Sequence, residues 1–557
     1  MSLDPITIEI IHSSLKSIAD ESYIALMKSA YSQNIKERCD HSTAIVDAKG
    51  RLVAQAHNAI PIHIASMIGL MECLLRERPI EEMNPGDIFV ANDPHVAGGT
   101  HLPDVNLATP IFADGKVLGF VCNIAHHADI GGMAVGSMAG GMSEIYQEGL
   151  RIPLVKLFDA GKLNEDLFNL ILLNVRLPRE RRGDYNAQFA ATRLAERRMQ
   201  DLVESYGTSQ LTEAFSEIID RTELRMRKAV AEVPDGVYKF DDVMDNDGLK
   251  ASNIKIALAV TIKGDQASFD FEGTDKQVPG NINVPFNGTQ ASVCYAMKAL
   301  LDPEVPNNHG VINSFQITAP EGSLVNCVFP ASVASRAHTS QRIIDVILGA
   351  MAEPLPQDTV AAANGANTSA IFAGKDPDTG EGYLYFETLG GGMGARYAKD
   401  GKDGVQVHVT NTSNLPVEAI EIEYPLRVES YGLVQDSGGA GRHRGGMSLE
   451  RVVRPLGHTC IFTGVGERFE NAPWGLDGGV EGGTGSFTHI NSEGSKDLLH
   501  PKEMDKDIPA EELVVIKTPG AGGYGSPALR SKEALQEDLD SEKYSAKYLK
   551  EHYGFLE

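Results

Sequence analysis

Residues 92–132 constrain this chain more than any other stretch. They read NDPHVAGGTHLPDVNLATPIF, then a strand-like run, then NIAHHADIGG. His101 and Asp104 bracket Leu102-Pro103, and His126 and His127 follow the apolar run 118–124. The two groups lie a hairpin apart and each is set in glycine. Side chains on neighbouring strand ends can converge on one ion, and glycine lets the backbone turn tightly around it. The stretch therefore reads as a mononuclear metal site.

The flanking chain supplies further ligand types. Asp4-Pro5 opens a helix, with Asp as its cap and Pro in the first turn. Apolar residues then recur at helical spacing from Ile8 to Leu26, and the helix is expected to run to about Arg38. Two short strands follow, 43–47 and 51–54, turned at Ala48-Lys49-Gly50. Asp40 and His41 fall at the helix-to-strand junction, where polar side chains face a cleft. A second helix over 63–78 and a strand over 88–90 deliver the Asn92 loop. Asp40 and Asp104 would bring two negative charges, and His101 and His126 two neutral nitrogens. That set suits zinc, manganese or iron, and residue types alone do not choose among them. His126 and His127 point to opposite sides of an extended strand. One can ligate while the other carries a proton or donates to the core.

Glu144, Gln147 and Glu148 share a short polar, helical segment. Residues 163–231 are mostly helical and rich in arginine, which reads first as a solvated, salt-bridged face and second as an anion-binding or subunit-docking surface. From Pro234 apolar and polar residues alternate, as in a small sheet. Helices are expected over 291–301 and 342–351. Beyond 370 come short strands and glycine loops, then a charged helical arm over 531–556. The chain is expected to be a multidomain, mixed α/β (α+β) protein. Residues 1–232 form an α/β region carrying the metal site, 233–370 a central α/β region with a mixed sheet, and 371–557 a glycine-rich β region ending in the helical arm.

Several chemistries are excluded. GAGGYG at 520–525 matches GxGxxG, but Pro519 precedes it, Ser526-Pro527 follows, and too little chain remains for a βαβ unit. No GxxxxGK[ST] is present, so any ATP must bind elsewhere. No GxSxG occurs, and Cys39 reads better as a buried thiol than as a nucleophile. With 50 basic and 76 acidic residues the net charge is -26, which argues against nucleic acid or an anionic membrane as partner. The six cysteines are scattered without a CxxC pair. With no signal peptide and no spanning apolar run, a cytoplasmic location is expected.

The motifs ERCDHSTAIVD, NDPHVAGGTHLPD, AHHADIGG, EIYQEGLRIP, ERRGD, APEGS, TNTSNLPVEAIE, DSGGAGRHRGG and TPGAGGYGSP occur in that order over about residues 5–530. Together they resemble the hydantoinase B family. It includes the B subunits of ATP-dependent hydantoinases, N-methylhydantoinases, 5-oxoprolinases and caprolactamase, and the alpha subunit of acetone carboxylase. The resemblance implies a hetero-oligomer with a hydantoinase A-type subunit that holds ATP and phosphorylates the carbonyl oxygen of a cyclic amide. It implies one divalent metal ion (Zn, Mn or Fe) in this chain. Carried over motif by motif, its ligands are Asp40, His101, Asp104 and His126, with His126 preferred to His127. The family commonly has Tyr where His95 stands. The acid or base is sought among His127, Asp129 and Glu144, by sequence proximity alone. Ring-opening hydrolysis is the expected activity. Ketone carboxylation and a non-catalytic scaffold are the alternatives. Chain length favours hydrolysis, because the corresponding acetone carboxylase chain is distinctly longer.

Overall fold

The computed structural model describes residues 3–410 and 412–555. It opens with α1 (Pro5–Ser29), whose Asp4 cap accepts from the backbone N–H groups of Ile6 and Thr7. The helix stops nine residues before the expected end. The Asp184 carboxylate captures the N–H groups of Tyr31 and Ser32 at 2.8 and 2.9 Å, and the chain restarts as the single turn α2 (Gln33–Lys36). That break lets Asn34 and Arg38 turn inward. Asn34 donates to the His126 carbonyl, and Arg38 donates to Phe386 and Thr388 of the distant C-terminal region.

The first sheet follows, from β1 (His41–Asp47), β2 (Leu52–Gln55), β3 (Ile88–Ala91), β4 (Asp104–Ala113), β5 (Lys116–His126), β6 (Val155–Asp159) and β7 (Lys162–Leu163). Their order is β2-β1-β5-β4-β3-β6-β7, antiparallel throughout. Between them come α3 (Pro61–Glu77), α4 (Glu165–Leu173) and the long α5 (Pro178–Val230), which bends at Gly207. Both faces of the sheet are covered. Ile45 and Val121 pack with α1 and α5, whereas Val46 and Cys122 pack with α3. Every residue of β1 is consequently buried, and its apolar run Ala44-Ile45-Val46 shows no alternation.

The second sheet holds β8 (Gly236–Asn246), β9 (Ser252–Lys263), β10 (Gln266–Asp270) and β11 (Phe315–Thr318) in the order β11-β10-β9-β8. It is mixed, because β10 and β11 run parallel. Its packed face meets α6 (Phe286–Leu301) and α8 (Arg336–Met351) in one large apolar core, with α7 (His309–Asn313) closing an end. α8 begins six residues earlier than its sequence pattern indicates.

Two further sheets follow. The third is β13-β12-β16-β19, from β12 (Thr368–Lys375), β13 (Gly382–Leu389), β16 (Cys460–Val465) and β19 (Lys502–Ile508). The fourth is β14-β15-β20-β17-β18, from β14 (Leu426–Leu433), β15 (Leu449–Pro455), β17 (Ser486–Ile490), β18 (Lys496–Leu498) and β20 (Leu513–Lys517). The short helix α9 (Val417–Glu423) leads into β14, and α10 (Lys532–Asp540) and α11 (Ala546–Tyr553) form the arm. The architecture is a mixed α+β fold of several sheets. Among the described residues no helix is long and apolar enough to cross a membrane.

The glycines of 519–525 have a packing role. A Cβ on Gly520 would lie 1.9 Å from the Ser437 carbonyl oxygen, and one on Gly522 1.9 Å from that of Trp474. Backbone bonds join this loop to residues 362, 392, 443 and 480. The GxGxxG match is the centre of a backbone knot that leaves no space for a Cβ at Gly520, Gly522 or Gly523.

Candidate metal centre

The β4–β5 hairpin builds the site. Asp104 opens β4, His126 closes β5, and the two are cross-strand partners. Asp40 stands just before β1, next to β5, and its carbonyl accepts the His126 N–H at 3.0 Å. The residue before it, Cys39, has a φ of 58°, a left-handed turn that swings the chain into the strand. His101 lies on the loop three residues ahead of Asp104. In an antiparallel arrangement these three strand ends share one edge, so the spacing read from the sequence becomes a cluster in space.

One ligand-capable atom from each of His101, Asp104 and His126 lies within 4.8 Å of the others, and all three residues are buried. The detailed geometry is that of a cation site. His101 Nδ1 is 2.9 Å from the Ala334 carbonyl oxygen, which can only accept, so Nδ1 carries the proton and Nε2 bears a lone pair. That lone pair lies 2.9 Å from Asp104 Oδ1, itself an acceptor. His126 Nδ1 is 3.0 Å from the same oxygen and leaves its own Nε2 over. Both Nε2 atoms are buried without a hydrogen-bond partner. Burial, with Arg336 nearby, pushes the His101 imidazole down to about 4, which favours the neutral, ligating form. Burial alone would raise the Asp104 carboxyl. The Arg336 guanidinium against it outweighs burial and holds the group well below the usual carboxylate range. Buried polar atoms normally find partners, so lone pairs facing one another mark an ion's place.

Asp40, His101, Asp104 and His126 all line one cavity of about 40 Å³. Two residues that sequence reading missed line it too. His63, in the first turn of α3, places Nε2 3.6 Å from Asp40 Oδ1 and 3.8 Å from Asp104 Oδ2, and its Nδ1 is 3.0 Å from Ser42 Oγ. Burial lowers its imidazole from the ordinary value. Arg336, at the first position of α8, donates from Nη2 to Asp104 Oδ2 at 2.5 Å and from Nε to Thr100 at 2.9 Å. The only sequence signal for His63 is a polar residue within an apolar helix start. The opposite wall comes from Phe386, stacked on His126 at 5.4 Å, and from Thr388, Val409, Thr410 and Thr412.

The three acid or base candidates lie elsewhere. His127 points to the opposite side of its strand, as an extended backbone requires. There it meets Gln188 at 3.0 Å and packs on Tyr185 of α5. Asp129 is saturated by Gly131, Gly136 and Arg176, and braces the Gly131-Gly132 turn. Glu144 is exposed and caps the 3-10 turn Ile145–Gln147. His95 contacts the Ala331 carbonyl and the edge of Phe329 outside the cavity wall. A larger cavity of about 290 Å³ opens between α3, α6 and α7, and none of the candidate residues lines it.

The Hydantoinase B/oxoprolinase family model matches residues 4–527. The chain belongs to that family. It is 40% identical over 549 residues to an uncharacterized protein of Methanocaldococcus jannaschii, covering 98% of this chain and 95% of the relative. It is 31% identical to the putative D-/L-hydantoinase B subunit of a Pseudomonas species, over 96% of this chain and 92% of that one. The crystal structure of the ATP-dependent caprolactamase from Pseudomonas jessenii superposes with a TM-score of 0.93 at 27% identity, covering 100% of this chain and 97% of the other.

Proposed function

We propose that this chain is the metal-dependent B subunit of an ATP-dependent cyclic-amide hydrolase, opening a hydantoin, 5-oxoproline or lactam ring whose carbonyl oxygen a partner A-type subunit has phosphorylated. The observation that carries the reading is the pair of unpartnered, buried Nε2 atoms of His101 and His126 beside the ionised Asp104. Membership of the Hydantoinase B/oxoprolinase family supports it.

Asp40, His101, Asp104 and His126 would hold one divalent cation: zinc, manganese or iron. When bound, the cation supplies Lewis acidity at the acyl carbon. The residues around it do the rest. Asp104 is kept anionic by Arg336, so the ligand set stays charged in a buried place. An amide nitrogen leaves only when protonated, and attacking water must lose a proton. His63 is the group placed for both, because its Nδ1 is held by Ser42 and its Nε2 faces the two carboxylates. It takes the role first sought among His127, Asp129 and Glu144. The chain has no P-loop, so ATP is assigned to the partner.

The test is reconstitution with an A-type subunit, ATP, and hydantoin, 5-oxoproline or caprolactam in turn. Ring-opened product formed with ADP and inorganic phosphate, independent of bicarbonate, is expected. Bicarbonate-dependent formation of a new carboxylate would make this a carboxylase subunit. Full activity after His101→Ala would leave it a scaffold.

A further inference from the structure

Glu148 is a buried acid that the reaction proposed above does not use. It follows the turn Ile145–Gln147, is wholly shielded from solvent, and stands outside the cavity wall. One of its oxygens, Oε1, accepts three hydrogen bonds: from the Ser332 hydroxyl, from the Val333 N–H at 2.5 Å and from the Ala334 N–H at 2.8 Å. The other, Oε2, is buried without a partner. Burying a carboxylate with one oxygen unpaired is costly, and an apolar residue at this place would avoid the cost. The arrangement therefore calls for a reason.

The reason lies in what the held segment delivers. Residues 332–334 run directly into α8. The Ala334 carbonyl faces His101 Nδ1 at 2.9 Å, and Arg336 reaches Asp104 at 2.5 Å. One short segment thus sets the tautomer of one candidate ligand and the charge of another. Asn281 and Asn283 also hold it, through its Ser335 N–H and Ser332 carbonyl. Glu148 binds the two consecutive N–H groups of Val333 and Ala334 and so fixes the backbone leading up to the Ala334 carbonyl, whose own peptide N–H, that of Ser335, is held by Asn281. A small rotation of that peptide would turn the carbonyl from His101 and free its ring to flip.

We propose that Glu148 is a positioning residue for the metal centre: its carboxylate anchors the Ser332–Ala334 backbone so that the Ala334 carbonyl holds His101 with Nε2 directed at the cation. The proposal rests on reading the cavity as a metal centre.

The experiment measures metal affinity and the visible spectrum of the cobalt(II) form for wild type, Glu148→Gln, Glu148→Ala and Ser332→Ala, alongside thermal unfolding of each apo protein. Partners behind a metal ligand typically contribute about 10–100-fold in affinity. The expected result is a loss of about tenfold or more in Glu148→Ala, a smaller loss in Glu148→Gln and Ser332→Ala, and an altered cobalt spectrum. A role in folding alone would lower the melting temperature and leave affinity and spectrum as in wild type, and that result overturns the proposal. Ser332→Ala deletes one hydroxyl, so it answers the question even if the Glu148 variants do not fold. Failure of wild type to bind metal would defeat the metal reading and this inference together. Tight wild-type binding that is indifferent to all three substitutions would defeat only the inference.

Discussion

Two of the buried charged clusters among the described residues are built on opposite terms. The first joins the second sheet to the C-terminal region. Arg468 meets Asp345 at 2.7 Å and Asp242 at 2.9 Å, and Lys502 meets Glu467 at 2.7 Å. Asp245 accepts the N–H groups of Phe469, Glu470 and Asn471, and Trp474 donates to Asp242. Each carboxylate there meets a cation or a row of backbone donors. The second cluster, at one end of the interior strands β1, β5 and β4 of the first sheet, holds Asp40 and Asp104 against one guanidinium and three imidazoles, and two of those imidazoles carry unused lone pairs. A saturated cluster, one whose carboxylates are all matched, fastens parts of a fold together, even with Arg468 Nε and Arg342 Nε left over on the cation side. An unsaturated one is incomplete until something binds. Left-handed backbone marks both clusters: Cys39, Asn367 and Val409 have positive φ at or beside the cavity, and Arg468 has it in the first cluster. Such conformations cost about 1–3 kcal/mol each and persist where surrounding structure enforces them, a pattern common at working sites.

The largest effect should come from breaking the unsaturated cluster. Asp104→Asn removes the charge that His101, His126 and Arg336 share. We expect bound metal to fall from about one per chain to none, and kcat/KM of the reconstituted enzyme to fall on the order of 10³-fold, as the loss of several kcal/mol of charge stabilisation requires. Elemental mass spectrometry of the folded variant checks the first and steady-state kinetics the second. Retained metal at full stoichiometry would mean that the facing lone pairs have another purpose.

Breaking the saturated cluster should do the reverse. Arg468→Met leaves Asp345 and Asp242 buried beside a neutral side chain. Removing one partner of a buried pair typically costs about 3–5 kcal/mol. Urea unfolding should show that loss, while the folded fraction keeps its metal. A variant that lost metal with little loss of stability would show the two clusters to be one functional unit.

The contrast also explains what could be read from the chain in advance. Asp40, His101, Asp104 and His126 stand at strand ends among glycines, and antiparallel pairing over a short hairpin brings such ends together almost by necessity. The apolar runs of the first sheet and the change from helix to strand after Val230 were legible for similar local reasons. His63 and Arg336 were not. Residues 336–342 read RAHTSQR, polar enough to pass for a loop, and the expected helix began only at Arg342. In the fold Arg336 and residues 338–342 are helical and buried: Arg336 and Arg342 face the two clusters, while Thr339 donates to the Ile282 carbonyl and Gln341 to that of Val407. A helix that is polar inside has no amphipathic signature. The early end of α1 had no local signal either, since the group that stops it, Asp184, lies more than 150 residues away.

The smallest effect, and the finest test of the comparison, concerns His338. It stands on α8 between the clusters, two residues after Arg336. Burial, reinforced by Lys502, pushes its imidazole down to about 3. A histidine depressed in the folded state is neutral there while the unfolded chain protonates near 6.5. Unfolding therefore takes up a proton between pH 6.5 and about 3. Stability from this residue is fully present above 6.5 and drains away as pH falls, by about 1.4 kcal/mol per pH unit. In urea titrations at pH 7, 6 and 5, His338→Gln should gain on wild type by that slope below 6.5, whatever the gap at pH 7. A constant gap would mean that His338 keeps its proton in the fold and counts as another cation between the clusters. The saturated network would then extend to the edge of the site, and the boundary drawn between the two clusters would have to move.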